Sequence, residues 1–129
     1  MIEFTVKKKG PVFDERGAHA VERFTDDATR AVAEAGARMV RMTLNARIRV
    51  NTGYYVSHVI SEVRGSWGRV WDQFIIYGRW LEGTGSRNRT TRFKGYHSFR
   101  DTAIRLDQQS EQILAPLVAK LMRELNGGF

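Results

Sequence analysis

The sequence predicts an α+β fold, a small antiparallel sheet packed against a long N-terminal helix and a C-terminal helix, with a long basic loop between the sheet and the last helix. Three observations lead there. Ile2, Phe4 and Val6 alternate with Glu3, Thr5 and Lys7, the period-2 pattern of a strand with one buried face. Two long stretches, near 14–47 and 99–125, repeat apolar residues every three or four positions. Between them lie two short runs rich in valine and aromatic residues, separated by Gly65-Ser66.

Size and composition set the limits. A chain of 129 residues reads as one domain, 1–129, with a real core. Hydrophobic residues make up 42% and charged residues 27%, which excludes disorder as the general state. Twenty-one basic against 14 acidic residues give +7, a balance that favours an anionic neighbour. The absence of cysteine excludes disulfides, thiolate metal sites and a cysteine nucleophile. No stretch reaches the ~18 apolar residues of a membrane span, and the N-terminus has no signal-peptide core. The expectation is therefore no membrane association and synthesis in the cytoplasm.

In chain order, Lys7-Lys8-Lys9 and Gly10-Pro11 end the first strand. The helix from about Asp14 to Arg47 carries a stripe of Val21, Phe24, Ala28, Val32, Ala35, Met39, Met42 and Ala46. Asp14 or Thr25 is the candidate cap, and Gly17 and Gly36 weaken the helix, which is expected to be irregular before Phe24. Arg30, Arg38, Arg41 and Arg47 fall off the stripe, toward solvent or a partner. Asn51-Thr52-Gly53 signals a turn, followed by strands at Tyr55–Val63 and Arg69–Ile76. Tyr77 to Leu81 fits one helical turn before Gly83. The loop after it is expected to be mobile in the isolated chain. The last helix, Phe99–Leu125, buries Ala103, Leu106, Ser110, Ile113, Leu114, Leu117, Leu121 and Leu125, with a kink or break near Gln112 imposed by Pro116.

Signals for chemistry are sparse. His19, His58 and His97 lie on different elements without metal-ligand spacing, and His58 reads as a structural residue. Glu82 and Asp101 flank the central loop as a possible carboxylate pair, although the arginines around Glu82 point to an ion pair instead. Gly83-Thr84-Gly85 looks like a phosphate cradle but lacks the lysine and the strand-to-helix context. Asn88-Arg89-Thr90 fits the glycosylation pattern by chance. No metal, cofactor or catalytic residue is expected. The basic and aromatic residues Arg87, Arg89, Arg92, Phe93, Lys94, Tyr96, Phe99 and Arg100 suit contact with phosphates and bases, so a small nucleic-acid-binding protein is the alternative reading. The aromatics equally suit anchoring of the loop to the core.

Three segments carry a resemblance: Val50-Asn51-Thr52-Gly53, then Tyr77-Gly78-Arg79-Trp80-Leu81-Glu82-Gly83-Thr84-Gly85, then Ser98-Phe99-Arg100-Asp101-Thr102-Ala103. In this order and spacing, across roughly residues 20 to 125, the chain resembles the neck proteins of long-tailed bacteriophages, also described as tail-completion, minor tail or head-to-tail connector proteins. Ser98 stands where that family's pattern has proline. The resemblance implies a non-enzymatic virion protein of a siphophage. It would be a sixfold ring at the head–tail junction, touching the head-closure ring, the tail terminator and the packaged DNA. Residues 83–97 then form an extended interaction loop. Tyr77, Trp80, Glu82, Thr84, Arg87, Arg89, Arg92, Phe93, Tyr96, Phe99 and Arg100 are expected at subunit or partner contacts, and Arg87, Arg89, Arg92 and Lys94 toward the DNA channel.

Overall fold

The computed structural model describes residues 1–7, 15–49 and 52–126. Strand β1 (Ile2–Thr5) opens the chain and helix α1 (Glu15–Arg47) follows. A single helical turn, α2 (Tyr54–Ser57), leads into the hairpin β2 (Ile60–Arg64) and β3 (Trp67–Trp71). Two more short helices, α3 (Gly78–Glu82) and α4 (Arg87–Thr90), precede α5 (Ser98–Leu125). The sheet is antiparallel with order β1-β3-β2, so the first strand pairs with the third. Ile2 lies opposite Val70 and Thr5 opposite Trp67.

Alternation decides the sheet's faces. In β3, Gly68 and Val70 point to the core while Trp67, Arg69 and Trp71 form the outer face. There the Arg69 guanidinium lies 3.4 Å from the Trp71 ring centroid and pairs with Glu62 at 2.7 Å. The inner face meets the second half of α1 and the start of α5 in one core built on Val40, Leu44, Val59, Val70, Phe99 and Leu106.

At ~1.5 Å per residue, α1 spans about 50 Å and α5 about 42 Å, far more than strands of four or five residues can cover. The helices run antiparallel, with ion pairs Arg23–Glu124 (3.2 Å) near one end and Arg47–Asp101 (2.8 Å) near the other. No core residue of α1 before Val32 belongs to the sheet cluster. The first half of α1 and the second half of α5 instead lie against each other, as an arm projecting from the sheet.

Close helix approach selects small residues, and this shifts the buried stripe of α1. Ala33, Gly36, Ala37, Val40 and Leu44 face inward, while Met42 is 65% exposed and Ala46 also faces solvent. Of the expected stripe, Ala28 and Ala35 are buried and Val21, Phe24, Val32 and Met39 half-buried, but it misses the small residues Ala33, Gly36 and Ala37 beside them. The helix is also regular from Glu15 onward. Thr25 does not cap it; its hydroxyl donates to the Val21 carbonyl inside the helix, and Asp14 lies outside the described residues. Arg41 is half-buried and Arg47 exposed, yet both also bond inward. They donate to the carbonyls of Val59 and Tyr96, tying α1 to the segments that follow.

Two further expectations change. Tyr54–Ser57 is helical and β3 stops at Trp71, so the strands are shorter than the apolar runs suggested. The α5 helix continues through Pro116 without a break. Ala103 and Leu125 on α5 are exposed, whereas Ser98, Phe99, Thr102 and Leu106 are its buried residues.

Gly36 lies at a close approach of α1 to α5 and β3, since a Cβ there would meet Leu106 Cδ1 and Val70 Cγ2 at 3.0 Å. Gly36→Val should destabilise the fold by about 1–3 kcal/mol through overpacking. Met42→Ala, on the solvent side of the same helix, should stay within about 0.5 kcal/mol of wild type. Urea unfolding of the two variants checks the assignment of faces.

Candidate functional site: a locked basic loop capping the last helix

The α5 helix begins without a cap of its own. His97, at the N-cap position, has φ 53° and ψ 33°, and its side chain makes no capping bond. The cap comes from Glu82, at the end of α3: Oε1 accepts from the amide of Phe99 (2.9 Å) and Oε2 from that of Arg100 (3.1 Å). A carboxylate on two orphan amides at the positive end of a helix dipole is the strongest form of this interaction. The expected arginine partners of Glu82 are thus replaced by backbone amides. The left-handed conformation of His97 also explains Ser98. A proline disfavours helical conformations in the residue before it, and serine leaves His97 free to adopt this one.

The loop between α3 and α5 is closed at its base. Tyr96 N–H donates to the Leu81 carbonyl at 2.6 Å. Gly83 (φ 98°) and Gly95 (φ 99°) lie against each other, so that a Cβ on Gly95 would collide with Gly83 Cα and one on Gly83 with the Lys94 carbonyl oxygen. Only glycine combines the left-handed φ with this contact.

Asn88 fills the inside of the loop and is 3% exposed. Its Nδ2 donates to the carbonyls of Trp80 and Phe93, and its Oδ1 accepts from Gly85 N–H. Phe93 packs between Trp80 and Tyr96, with centroids 5.0 and 4.9 Å away. The loop expected to be mobile is therefore folded round a buried amide. The Asn88-Arg89-Thr90 triplet, a chance match to the glycosylation pattern, places Asn88 buried and bonded inside the loop.

Several predicted site residues have internal roles. The Lys94 ammonium donates to the carbonyls of Asn88 (2.8 Å) and Arg89, so this exposed residue also braces the loop. The amides of Gly83, Thr84 and Gly85 converge on the Arg79 carbonyl, which leaves no anion cradle. Phe99 is a core residue. Asp101 pairs with Arg47 and Arg100; the Arg47 hydrogen bond, chiefly, holds its carboxyl below the usual carboxylate range. Glu82 and Asp101 are thus both engaged, and each does a separate structural job. What faces outward is cationic: Arg87, Arg89 and Arg92 are exposed and have no carboxylate within 4.0 Å among the described residues.

Beside the loop stands a second feature, which the sequence reading assigned to a strand. Gln73 and Phe74 adopt φ of 59° and 58° in succession, a left-handed pair that costs non-glycine residues about 1–2 kcal/mol each. Asp72 holds it in place, accepting from Phe74 N–H (3.0 Å) and from the Tyr55 hydroxyl (2.7 Å). Burial, with that carboxylate, pushes the Tyr55 phenol far above its ordinary value. The strained turn leaves Phe74 73% and Ile76 99% exposed.

Comparison of the chain with protein-family models, curated proteins and solved structures gave no match. Among the described residues, no cluster of three or more histidine or carboxylate side chains could hold a metal ion, and no helix is long and apolar enough to cross a membrane.

Glu82→Ala should cost about 1–2 kcal/mol of stability, and Glu82→Gln less, because one acceptor oxygen survives. Denaturant midpoints for the two variants check the cap. For Asp101 the folded value is lowered. Its contribution is therefore full above about pH 4 and is lost as the pH falls through the lowered value. Asp101→Asn should be less stable than wild type at neutral pH and converge with it once the pH has fallen through the lowered value, in an acid unfolding series.

Proposed function

We propose that this chain is a structural subunit of the neck of a long-tailed bacteriophage, a ring-forming protein at the head–tail junction that encircles the DNA path. The observation that supports it best is where the motif residues meet. Glu82 of the second segment caps the helix opened by the third, and Gly83 of the second touches Gly95 just before it. Residues at the heart of the resemblance thus build a rigid support for an outward-facing loop, the architecture expected of an assembly subunit. Both carboxylates with catalytic potential are engaged in that support.

On this reading the loop's arginines face other chains or passing DNA, and the protein reaches the virion from its site of synthesis in the host cytoplasm. Tyr77, Thr84, Arg87, Arg89, Arg92 and Arg100 supply the contacts, all being exposed. Trp80, Phe93 and Tyr96 hold the loop's shape from behind.

The test is electron microscopy of particles made by a genome lacking this chain. Packaged heads beside complete, unattached tails are expected; normally joined virions would exclude the reading. Supplying Arg87→Glu with Arg89→Glu and Arg92→Glu should restore a folded protein but not joining. The exposed arginines also favour the nucleic-acid reading, which the same triple variant separates. A nucleic-acid-binding protein would hold short duplex DNA well below micromolar concentration, with an affinity falling steeply with salt, and the variant would lose about three units of log–log slope. A neck subunit, free in solution, should bind no tighter than the ~10⁻⁴–10⁻⁶ M of non-specific contact.

A further inference from the structure

Strand β1 is an edge of the sheet, with β3 on one side and, among the described residues, no strand on the other. The ladder decides which backbone groups the open side presents. Val6 N–H donates to the Ser66 carbonyl at 2.8 Å, in the same register that sets Ile2 opposite Val70 and Phe4 opposite Gly68. Hydrogen-bonded positions alternate along an antiparallel strand. Ile2, Phe4 and Val6 therefore bond β3, and Glu3 and Thr5 turn their N–H and C=O groups to the open side, an alternation that Lys7 continues. Such an edge is a template for one more strand.

The side chains sort by the same alternation. Ile2 is buried and Phe4 and Val6 are half-buried, whereas Glu3, Thr5 and Lys7 are exposed. Beneath the strand, walled by β1, α1 and α5 together, lies a groove of about 430 Å³ lined by Phe4, Val6, Val32, Leu106 and Leu114. It continues the inner face of the sheet past its last strand. On the outer face, Glu3 and Lys7 have no ion-pair partner among the described residues. Arg69, which stands opposite Glu3 in the ladder, is taken by Glu62 at 2.7 Å.

We infer that β1 of a second copy pairs antiparallel with β1, Thr5 opposite Thr5, and joins two sheets into one. In that register Glu3 faces Lys7, Thr5 faces Thr5 and Phe4 faces Val6. These are an opposite-charge pair, a hydroxyl pair and an aromatic against a β-branched side chain, each a favourable cross-strand combination. The backbone agrees, because Glu3, Thr5 and Lys7 of both strands turn their polar groups to the shared edge. Opposite residues lie on one face of a sheet, so Phe4 and Val6 of the second copy point to the side of the groove. Other registers do worse. A slip of one residue sets bonding positions against non-bonding ones. A slip of two sets Glu3 against Thr5, leaving both charges without a direct partner, and a slip of four sets Glu3 against Glu3. Lysine commonly guards an edge against pairing; here it admits a strand that brings an acid opposite, and β1 itself carries one. The pairing is two-fold and isologous. It rests on the strand edge and not on the neck reading.

Sedimentation velocity tests it. Wild type should dimerise as its concentration rises toward ~1 mM. Thr5→Pro removes an N–H that faces the open side and none that bonds β3, so it should keep the wild-type urea midpoint while dimerising at least about tenfold more weakly. Glu3→Lys and Lys7→Glu leave the backbone untouched. Each alone sets like charges against one another across the two-fold and should self-associate at least about tenfold more weakly. Mixed in equal amounts they should form a heterodimer of wild-type strength, because every lysine then meets a glutamate. If Thr5→Pro fails to fold, the charge variants decide alone. The inference is overturned if wild type remains monomeric throughout, if a folded Thr5→Pro dimerises like wild type, or if the two charge variants do not pair when mixed.

Discussion

The carboxylate of Glu82 on the first amides of α5 is the constraint from which the rest of the site follows. A helix of 28 residues that starts next to a left-handed histidine has unsatisfied amides and nothing local to bond them. Capping from a distance joins two tasks that most helices keep apart. It stabilises the helix end, and it sets the position of α3 relative to α5. The ends of the loop are then forced together, which is why Gly83 and Gly95 must both lack a Cβ. Arg47 extends the arrangement to α1 by bonding both the Tyr96 carbonyl and Asp101. Through a single arginine, the base of the loop is fixed to the longest helix in the molecule.

The economy of the loop's interior has a functional side. A loop held by three bonds to one asparagine amide and by stacked rings loses little further entropy when it meets a partner. The arginines stand outside that framework, so their charge can vary without disturbing the support. A flexible loop would have traded affinity for reach. This one carries its exposed arginines on a backbone that is already ordered.

The α+β class, the antiparallel hairpin at Gly65-Ser66, the turn of helix before Gly83 and the two long helices were all legible in the sequence, because each rests on local periodicity or turn chemistry. What was not legible depended on contacts between elements. The inward face of α1 is made of alanine and glycine at Ala33, Gly36 and Ala37, residues whose hydrophobic signal is weak and whose value lies in allowing close approach. Tyr54–Ser57 has the composition of a strand but sits behind Gly53, and tertiary packing overrides its propensity. The role of Glu82 was visible only as a charge among arginines, since nothing local shows that the partners of a carboxylate are amides seventeen residues away. The left-handed pair Gln73 and Phe74 reads as a strand for the same reason. Its conformation is held by contacts with other elements: Asp72 accepts from Phe74 N–H, and the Gln73 side chain donates to the His58 carbonyl.

That pair bears on why the surface is as apolar as it is. Exposed leucines and methionines scattered singly need no explanation on a soluble protein. Val118, Met122 and Leu125 on one helix and an isoleucine at 99% exposure on a strained turn are different, because both are arranged rather than scattered. Strain of this kind persists only when the surrounding structure over-determines it, and here Asp72 engages both the turn's backbone and a buried phenol to do so. The folded chain holds Phe74 and Ile76 in water near the start of α5, and Val118, Met122 and Leu125 in water along its second half.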